Sequence, residues 1–320
     1  MQRVSIAPMP VAPAPQSARP SPRSVARARR RLLEWYDAEH RDFPWRGVTD
    51  PYAVLVSEVM LQQTQASRIA ERFPAWMDRF PTAASLAEAS PAAVLAAWSG
   101  LGYNRRALAL QRCAVAVTRD GWPRDVEGLQ RLPGIGPYTA RAVASLAFGQ
   151  PVGVVDTNVR RWLLRRFMVP DRPRELQGLA DALASGPGDP AAWTHASMEF
   201  GAAVCRARTP RCAACPIRRG CPSRRVAVRV AVPRQPAFHG SDRAYRGTLL
   251  RLLADVAPPH RLPEAELRAA LAGASRRAGP PLGDADWDRL LGRLAAEGLV
   301  HRSGEEVGLG GKVAAATIGP

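Results

Sequence analysis

Apolar residues recur at intervals of three and four along most of the first 225 positions, which places them on one face of an α-helix. Strand-like alternation is weak there, and proline or glycine separates the apolar segments at short intervals. The pattern predicts an all-α fold with many helices of moderate length. The clearest predicted helices cover Tyr52–Gln63, Ala66–Phe80 and Tyr103–Arg119, and a shorter one begins after Ser90.

The two ends of the chain differ in composition from this helical part. Residues 1–25 are rich in Pro, Ala, Ser and Arg, so we expect a disordered basic tail rather than a transit peptide. Residues 226–240 resemble an interdomain linker, and residues 241–320 are expected to form a small domain with a disordered end. The order of predicted elements in that domain resembles a winged helix: helices Asp242–Val256, Pro263–Ala272 and Asp284–Gly298, then a strand pair within Leu299–Leu309.

The net charge of the chain indicates which class of molecule the protein binds. The 320 residues include 45 Lys and Arg against 28 Asp and Glu, a formal net charge of +17. This excess favours a polyanion, most simply a nucleic acid, although a GC-rich genome would also enrich arginine. No apolar run approaches the ~18 residues that a membrane span requires, which excludes an integral membrane protein. Lys312 is the single lysine and therefore the one candidate for any lysine-dependent mechanism.

Four of the five cysteines lie close together, in the spacing C-x6-C-x2-C-x5-C. One CxxC flanked by single cysteines suits a [4Fe–4S] cluster better than zinc, whose sites usually bring two close pairs separated by a longer loop. Zinc and free thiols stay open as alternatives. The candidate metal ligands are Cys205, Cys212, Cys215 and Cys221. Cys113 lies on an apolar helix face, where we expect it to pack in the core.

The segment LPGIGPYTA, residues 132–140, lies between two apolar helices. Gly134 and Gly136 permit a tight turn and a close approach of the backbone to another group. The N–H groups at the start of the second helix can hold a phosphate oxygen. A GxG sequence alone is weak evidence, but helices on both sides favour a helix-hairpin-helix DNA anchor.

Two acidic residues follow or interrupt apolar segments. Glu58 lies on SEVMLQQTQ, residues 57–65. If it is buried, its pKa rises, which suits a general acid near neutral pH; a solvent-facing Glu58 is the alternative. Asp156 lies between an apolar run and a new helix, where an N-cap is the ordinary role. A catalytic role for Asp156 requires a second carboxylate, and Glu58 is the candidate.

Six segments combine in order along the chain: FPWR (43–46), SEVMLQQTQ (57–65), GLGY (100–103), LPGIGPYTA (132–140), VVDTNVRR (154–161) and the four-cysteine loop. This set resembles the helix-hairpin-helix DNA glycosylase superfamily that includes endonuclease III, and most closely the MutY-type adenine DNA glycosylases. The similarity covers about residues 26–225. It implies an all-α, two-lobed fold, with a six-helix lobe over about 50–155 and a cluster lobe from 26–49 and 156–225.

The resemblance implies an enzyme that flips adenine, mispaired with 8-oxoguanine or guanine, out of duplex DNA. Glu58 matches the acid that protonates adenine N7 and then helps water to attack. Asp156 matches the carboxylate that stabilises the oxocarbenium-like sugar, Tyr138 matches a residue that assists this step, and Asn158 matches a polar neighbour of Asp156. Bifunctional relatives have lysine at the position of Tyr138, so the resemblance implies base removal without strand cleavage.

The resemblance also assigns residues to DNA binding. Trp45, Arg46 and Leu61 match pocket residues that contact the adenine. Gln63 and Tyr103 match side chains that wedge into the opened base stack. It further implies a [4Fe–4S] cluster on the four cysteines, double-stranded DNA as the partner and a monomeric state. The expected location is the bacterial cytoplasm, in association with the nucleoid.

Some features depart from the family pattern. Asn104 follows the tyrosine of GLGY, where relatives often have a second tyrosine. His195 and Glu199 lie in a variable region and receive no firm role. Many relatives append a Nudix-like domain whose F-S-H loop reads 8-oxoguanine, and Phe238-His239 is too little to identify that loop. The strength of an 8-oxoguanine preference is therefore open.

Two other functions stay open. A thymine-mismatch or oxidised-pyrimidine glycosylase would share the fold, although Tyr138 counts against the second. A non-catalytic iron–sulfur regulator would bind DNA through the hairpin and the winged helix and use the cluster as a redox sensor. Such a regulator would tolerate substitution of Glu58 and Asp156, because it needs no carboxylate pair.

Overall fold

The computed structural model describes residues 20–224 and 237–311. These residues are mostly α-helical with one small antiparallel sheet, which confirms the predicted fold class. They divide into two compact units. Unit 1 contains the described residues of Met1–Arg41 and Gly149–Val232, and unit 2 those of Asp42–Phe148 and Pro233–Pro320. In the described part of the chain, no helix is both long and apolar enough to span a membrane.

The helices in chain order are α1 (Pro22–Glu39), α2 (Pro51–Leu61), α3 (Ala66–Arg79), α4 (Ala83–Glu88), α5 (Pro91–Ala97), α6 (Arg105–Asp120), α7 (Val126–Arg131), α8 (Pro137–Leu146), α9 (Thr157–Phe167), α10 (Pro173–Ala184), α11 (Pro190–Ala203), α12 (Asp242–Ala254), α13 (Glu264–Gly273), α14 (Ser275–Ala278) and α15 (Asp284–Ala296). Short 3-10 turns cover Cys212–Ala214 and Pro222–Arg224. The strands are β1 (Arg261–Pro263), β2 (Val300–Ser303) and β3 (Glu306–Leu309).

Proline begins many of these helices. It occupies the first turn of α1, α2, α5, α8, α10 and α11. There its missing N–H costs no hydrogen bond and its fixed φ is already helical. Ser21, Asp50, Ser90 and Asp189 precede four of these prolines and accept backbone N–H groups as N-caps. A chain with 30 prolines can therefore be largely helical.

Unit 1 packs around Trp162 of α9. The Trp162 ring meets the ring of Phe200 at 5.8 Å between centroids and that of Trp193 at 6.4 Å, both on α11. Edge-to-face contacts of this kind add to the free energy of burying apolar surface. Gly201 lets α11 approach α9, because a Cβ there would lie 2.7 Å from the Cβ of Asn158. The close approach places the start of α9 against α11.

Unit 2 is built around α2, which packs against α3, α6 and α8. All residues of α2 from Tyr52 to Met60 are buried. Tyr52 satisfies its hydroxyl by donating to the carbonyl of Phe80 at 2.8 Å. Cys113 of α6 is buried in this core as predicted, and burial raises the pKa of its thiol to about 12.

The C-terminal part of unit 2 contains the sheet, in the strand order β1-β3-β2 with both pairs antiparallel. Leu249 of α12, Leu267 of α13 and Leu294 of α15 are fully buried beside it. The element order agrees with the predicted winged-helix arrangement. The helix α12 and strand β3 also pack against α5. These residues therefore belong to the same compact unit as residues 42–148, whereas the sequence predicted a separate domain.

Several boundaries differ from the prediction. The helix α1 begins at Pro22, because Ser21 caps it, so the predicted disordered tail ends earlier than residue 25. The strand β1 and the helix α14 were not predicted, since three or four residues carry no readable periodicity. Residues 1–19, residues 226–236 of the predicted linker and the end of the chain with Lys312 lie outside the described residues.

Candidate active site

The helix α2 places Glu58 inside unit 2. Only 4% of Glu58 is exposed, so the solvent-facing alternative is wrong. A buried carboxyl group needs a polar partner, and the Tyr138 hydroxyl donates to Glu58 Oε2 at 2.8 Å. The structure thus brings together two residues that the sequence had assigned to one site from segments 80 positions apart.

A tight hairpin between α7 and α8 delivers Tyr138. Ile135 is buried and its N–H donates to the carbonyl of Leu132, which closes the turn. Gly134 has a φ of 77°, and a Cβ there would lie 2.6 Å from the Cβ of Ala109 on α6. Gly136 is exposed and stands at the N-cap of α8. The turn therefore requires the glycine at position 134, and it exposes the backbone at Gly136.

Asp156 lies in unit 1, at the N-cap of α9. Its Oδ1 accepts the N–H of Val159 at 2.6 Å, and its Oδ2 accepts the side-chain amide of Asn158 at 2.7 Å. Burial raises the pKa of Asp156, and these hydrogen bonds lower it only in part. The N-cap role expected from the sequence is therefore present, on a carboxyl group that protonates at higher pH than free aspartic acid.

The sequence analysis missed Arg161, which connects Asn158 to the cysteine loop. Arg161 Nη2 donates to Asn158 Oδ1 at 2.8 Å and to the carbonyl of Gly201 at 2.6 Å. Its Nε donates to the carbonyl of Cys205 at 2.8 Å. Arg161 is buried and directly precedes Trp162 and Leu163, but α9 contains four arginines, so residue type alone does not mark the buried one.

The C-terminal end of α9 holds the loop that carries the cysteines. Arg165 donates to the carbonyls of Arg206 at 2.7 Å and Ala207 at 2.9 Å, and lies 3.6 Å from the sulfur of Cys205. Arg166 donates to the carbonyl of Gly220 at 3.1 Å. A cavity of about 450 Å³ lies here in unit 1. All four candidate ligands line it: Cys205, Cys212, Cys215 and Cys221.

The four thiols are not joined in disulfides. Burial raises the pKa of Cys215 to about 11, and the neighbouring cysteines contribute in the same direction. A cationic group in the cavity would therefore be needed to stabilise the deprotonated, thiolate form of these cysteines. Across residues 20–224 and 237–311, no three His, Cys, Asp or Glu side chains are grouped closely enough to bind one metal ion.

Gln63 and Tyr103 lie on two turns of unit 2 and have positive φ values of 59° and 49°. Arg106 joins the two turns. It donates to the carbonyl of Gln62 at 2.7 Å and to the carbonyl of Gly102 at 3.2 Å, the peptide groups directly before these residues. Desolvation lowers the pKa of Arg106 to about 10. Its role was not predicted, because the sequence does not indicate that the turns are neighbours.

Three further predicted site residues, Trp45, Arg46 and Leu61, also belong to unit 2. Trp45 is buried and stacks on Phe43 with 4.8 Å between ring centroids, while the Arg46 guanidinium lies 5.8 Å from the same ring. Leu61 is half-buried at the end of α2.

Glu199 and His195, which received no role from the sequence, are both buried on α11 in unit 1. Glu199 forms a two-point ion pair with Arg41. This contact accounts for the buried charge of Glu199 without a catalytic role.

Comparison with known proteins agrees with the sequence motifs. Residues 56–183 match the family described as HhH-GPD superfamily base excision DNA repair protein. An adenine DNA glycosylase of Mycolicibacterium smegmatis is 43% identical over 289 residues, which cover 86% of this chain and 92% of that protein. The chain belongs to the adenine DNA glycosylase family. The expected family membership is thereby confirmed.

Solved structures of the superfamily share the fold of this adenine DNA glycosylase family member. A thermostable thymine-DNA glycosylase superposes with a TM-score of 0.58 and 27% identity, covering 62% of this chain and 95% of that one. An endonuclease III trapped as a covalent intermediate with DNA gives a TM-score of 0.53 and 22% identity, covering 63% and 95%. The predicted endonuclease III-like fold is confirmed.

The two hairpin glycines should respond differently to alanine. Gly134→Ala is expected to lower the free energy of unfolding by about 2–4 kcal/mol, because it combines a left-handed residue with a clash against Ala109. Gly136→Ala should cost less than about 1 kcal/mol, since its φ is −88° and its added Cβ meets no atom within 4 Å. Urea denaturation of both variants measures the difference. Equal losses would contradict the described hairpin.

Proposed function

We propose that this chain removes adenine mispaired with 8-oxoguanine or guanine from duplex DNA by hydrolysing its N-glycosidic bond, without cleaving the strand. The contact between Glu58 and Tyr138 carries the proposal. A buried carboxyl group on an apolar helix has no structural benefit that an apolar residue would not supply better. Its retention, with a dedicated phenol as partner, supports a role in proton transfer.

Glu58 is the proposed general acid. Glu58 is 4% exposed, and burial disfavours the charged form of a carboxyl group, which suits Glu58 to deliver a proton to the leaving base. Transfer of that proton to adenine N7 turns the base into a neutral leaving group. The resulting carboxylate then accepts a proton from the attacking water. The Tyr138 hydroxyl orients the Glu58 carboxyl group for these transfers.

Asp156 is the proposed stabiliser of the positive charge that develops on the sugar. Its carboxylate is held at the N-cap of α9 by Val159 and Asn158. Because these hydrogen bonds fix its position before the reaction, little reorganisation accompanies charge development. The free energy of desolvating Asp156 is recovered when a cation forms beside it. Asn158 is therefore a positioning residue, and Arg161 fixes Asn158 in turn.

Tyr138 also determines what the enzyme does after the base has left. A Schiff-base lyase needs an amine at the sugar C1′, and a phenol cannot form that adduct. The one lysine of the chain is Lys312, far from this motif in sequence. Hydrolysis therefore ends at an abasic site.

DNA binding follows from charge and exposed backbone. The exposed turn at Gly136 is proposed to hold a phosphate of the strand. Trp45, Arg46 and Leu61 are proposed to line the adenine pocket. Gln63 and Tyr103, held on their turns by Arg106, are proposed to fill the gap that the extruded base leaves in the stack.

The proposed activity is tested on duplexes that carry one adenine opposite 8-oxoguanine, guanine or thymine, and on one that carries thymine opposite guanine. Each reaction is split, and one half is treated with alkali. Strand breaks are expected only after alkali, and only for adenine opposite 8-oxoguanine or guanine. Breaks without alkali would contradict the monofunctional chemistry. Breaks at thymine opposite guanine would replace the proposal by a thymine-mismatch glycosylase.

We further propose that Cys205, Cys212, Cys215 and Cys221 hold a [4Fe–4S] cluster. When bound, the cluster would supply four cationic iron sites that keep the thiolates charged and cross-link the loop. The support is their shared cavity in unit 1 and the arginines of α9 around it. Through Arg161 the loop that they would fix also supports Asn158 and Asp156.

Metal analysis tests the cluster. The purified protein is expected to contain about four iron and four acid-labile sulfide per chain. Cys212→Ser should lose most of both, whereas Cys113→Ala, at a buried cysteine outside the loop, should keep them. About one zinc per chain with no sulfide would contradict the cluster.

A further inference from the structure

The proposed reaction gives no role to residues 242–311, here called the winged-helix part. Its helix α12 and its strand β3 both pack against α5, in the same unit as Tyr103. Leu95 of α5, Leu250 of α12 and Leu309 of β3 are buried and surround the same cavity of unit 2. Their apolar surface favours keeping α5 and the winged-helix part together.

Gly310 gives this contact a fixed geometry. It follows β3 directly, is buried and has a φ of 74°. A Cβ on Gly310 would lie 2.9 Å from the backbone nitrogen of Ala92 and 3.1 Å from the Cβ of Pro91, in the first turn of α5. The N–H of Gly310 donates to the carbonyl of Leu299 at 2.9 Å, and its carbonyl accepts from Nδ1 of His301. The backbone at Gly310 is thus tied to the winged-helix part and lies against the start of α5.

The other end of α5 leads into the turn that carries Tyr103. Trp98 follows α5, is fully buried, and its backbone N–H donates to the carbonyl of Val94 at 3.0 Å. The indole N–H of Trp98 donates at 3.0 Å to the carbonyl of Gly102, in the peptide group directly before Tyr103. The helix α5 has seven residues and is about 10 Å long, so it moves as one short rod. A shift at its start is therefore transmitted to the turn.

The charges on α15 argue against a direct role of the winged-helix part in reading DNA. In helix-turn-helix proteins the recognition helix enters the major groove with its N-terminal residues against the bases. The helix at the corresponding position is α15, and its first five residues include three aspartates. Each aspartate forms an ion pair within the winged-helix part: Asp284 with Arg268, Asp286 with Arg289 and Asp288 with Arg302. An acidic helix end repels DNA phosphates, so the winged-helix arrangement does not by itself indicate a DNA reader.

We propose that the winged-helix part is a brace that fixes α5 and thereby the backbone turn of Tyr103, with Gly310 as the positioning residue at the contact. The inference rests on the proposed function, which assigns Tyr103 to the gap left by the extruded base. A side chain fills this gap most effectively if its backbone is in place before the stack opens, because ordering it during the reaction costs conformational entropy. Arg106 holds the Gly102 carbonyl from α6, and α5 holds the same carbonyl through Trp98.

The first measurement compares two glycine variants by hydrogen exchange. Gly310→Ala introduces a Cβ against α5, whereas Gly304→Ala, in the turn between β2 and β3, introduces one that meets no atom within 4 Å. Both glycines have positive φ values, 74° and 61°, so both variants carry a similar conformational strain. The amides of residues 98–106 are expected to exchange roughly tenfold faster in Gly310→Ala, because the turn opens locally more often. In Gly304→Ala they should exchange at the wild-type rate.

The second measurement is adenine release from a duplex with adenine opposite 8-oxoguanine, under single-turnover conditions. Gly310→Ala is expected to slow release roughly tenfold, since the turn is misplaced, and Gly304→Ala should release adenine at the wild-type rate. Because the brace acts through Tyr103, Gly310→Ala should cause no further slowing in a Tyr103→Ala background. A general loss of stability would instead slow release in both backgrounds alike.

Equal exchange at residues 98–106 in the two glycine variants would overturn the brace, and so would equal slowing by Gly310→Ala in both backgrounds. If Gly310→Ala does not fold, Leu309→Val replaces it in both measurements, because it shortens a buried side chain of β3 next to the same contact. If the wild type releases adenine while the two glycine variants exchange alike, the brace fails and the proposed function stands. If the wild type releases no adenine, the proposed function fails, and faster exchange confined to Gly310→Ala still supports the brace.

Discussion

Glu58 lies within a helix whose other central residues are all buried, and the free energy of burying its carboxyl group has to be met by a partner. Tyr138 is that partner. The hairpin before Tyr138, the glycine that lets this hairpin rest on Ala109, and the packing of α8 on α2 together hold the phenol in place. One hydrogen bond therefore links the interior of unit 2 to its proposed DNA-binding turn. Loss of the hairpin geometry would remove this hydrogen bond from a buried carboxyl group.

In unit 1, the carboxyl group of Asp156 is likewise desolvated, and a longer network of hydrogen bonds holds it in place. Asp156 begins α9, and the arginines along the same helix hold the cysteine loop near its end. The pKa of Asp156 stays raised despite two hydrogen bonds, because burial disfavours its charged form. Because Arg161 contacts both Asn158 and the carbonyl of Cys205, order in the loop and order at Asp156 are coupled. A cofactor that fixes the loop would thus support catalysis without touching the substrate.

Much of this organisation is readable from the sequence, and the exceptions have physical causes. Periodic apolar positions predicted the bounds of six helices within a few residues, and motif order predicted the family. Glu58 and Tyr138 were both assigned to catalysis, but their contact depends on the packing of α8 on α2, which no local pattern encodes. Arg106 and Arg161 were missed because they donate mainly to backbone carbonyls, which leave no mark on residue identity. The winged-helix part was predicted to be a separate domain, because the sequence of the linker before it carries no information about the contact of α12 with α5.

The most direct test of the central claim concerns the proton carried by Glu58. Adenine release is measured under single-turnover conditions for the wild type, Glu58→Gln and Tyr138→Phe, together with the affinity of each for the duplex. Glu58→Gln is expected to slow adenine release by roughly 10²–10⁴-fold with unchanged affinity for the duplex. The amide keeps the shape of the carboxyl group but has no acidic proton. Tyr138→Phe should cause a smaller loss, about tenfold, because it removes only the orienting hydrogen bond. Wild-type rates for Glu58→Gln would contradict the assignment of the general acid.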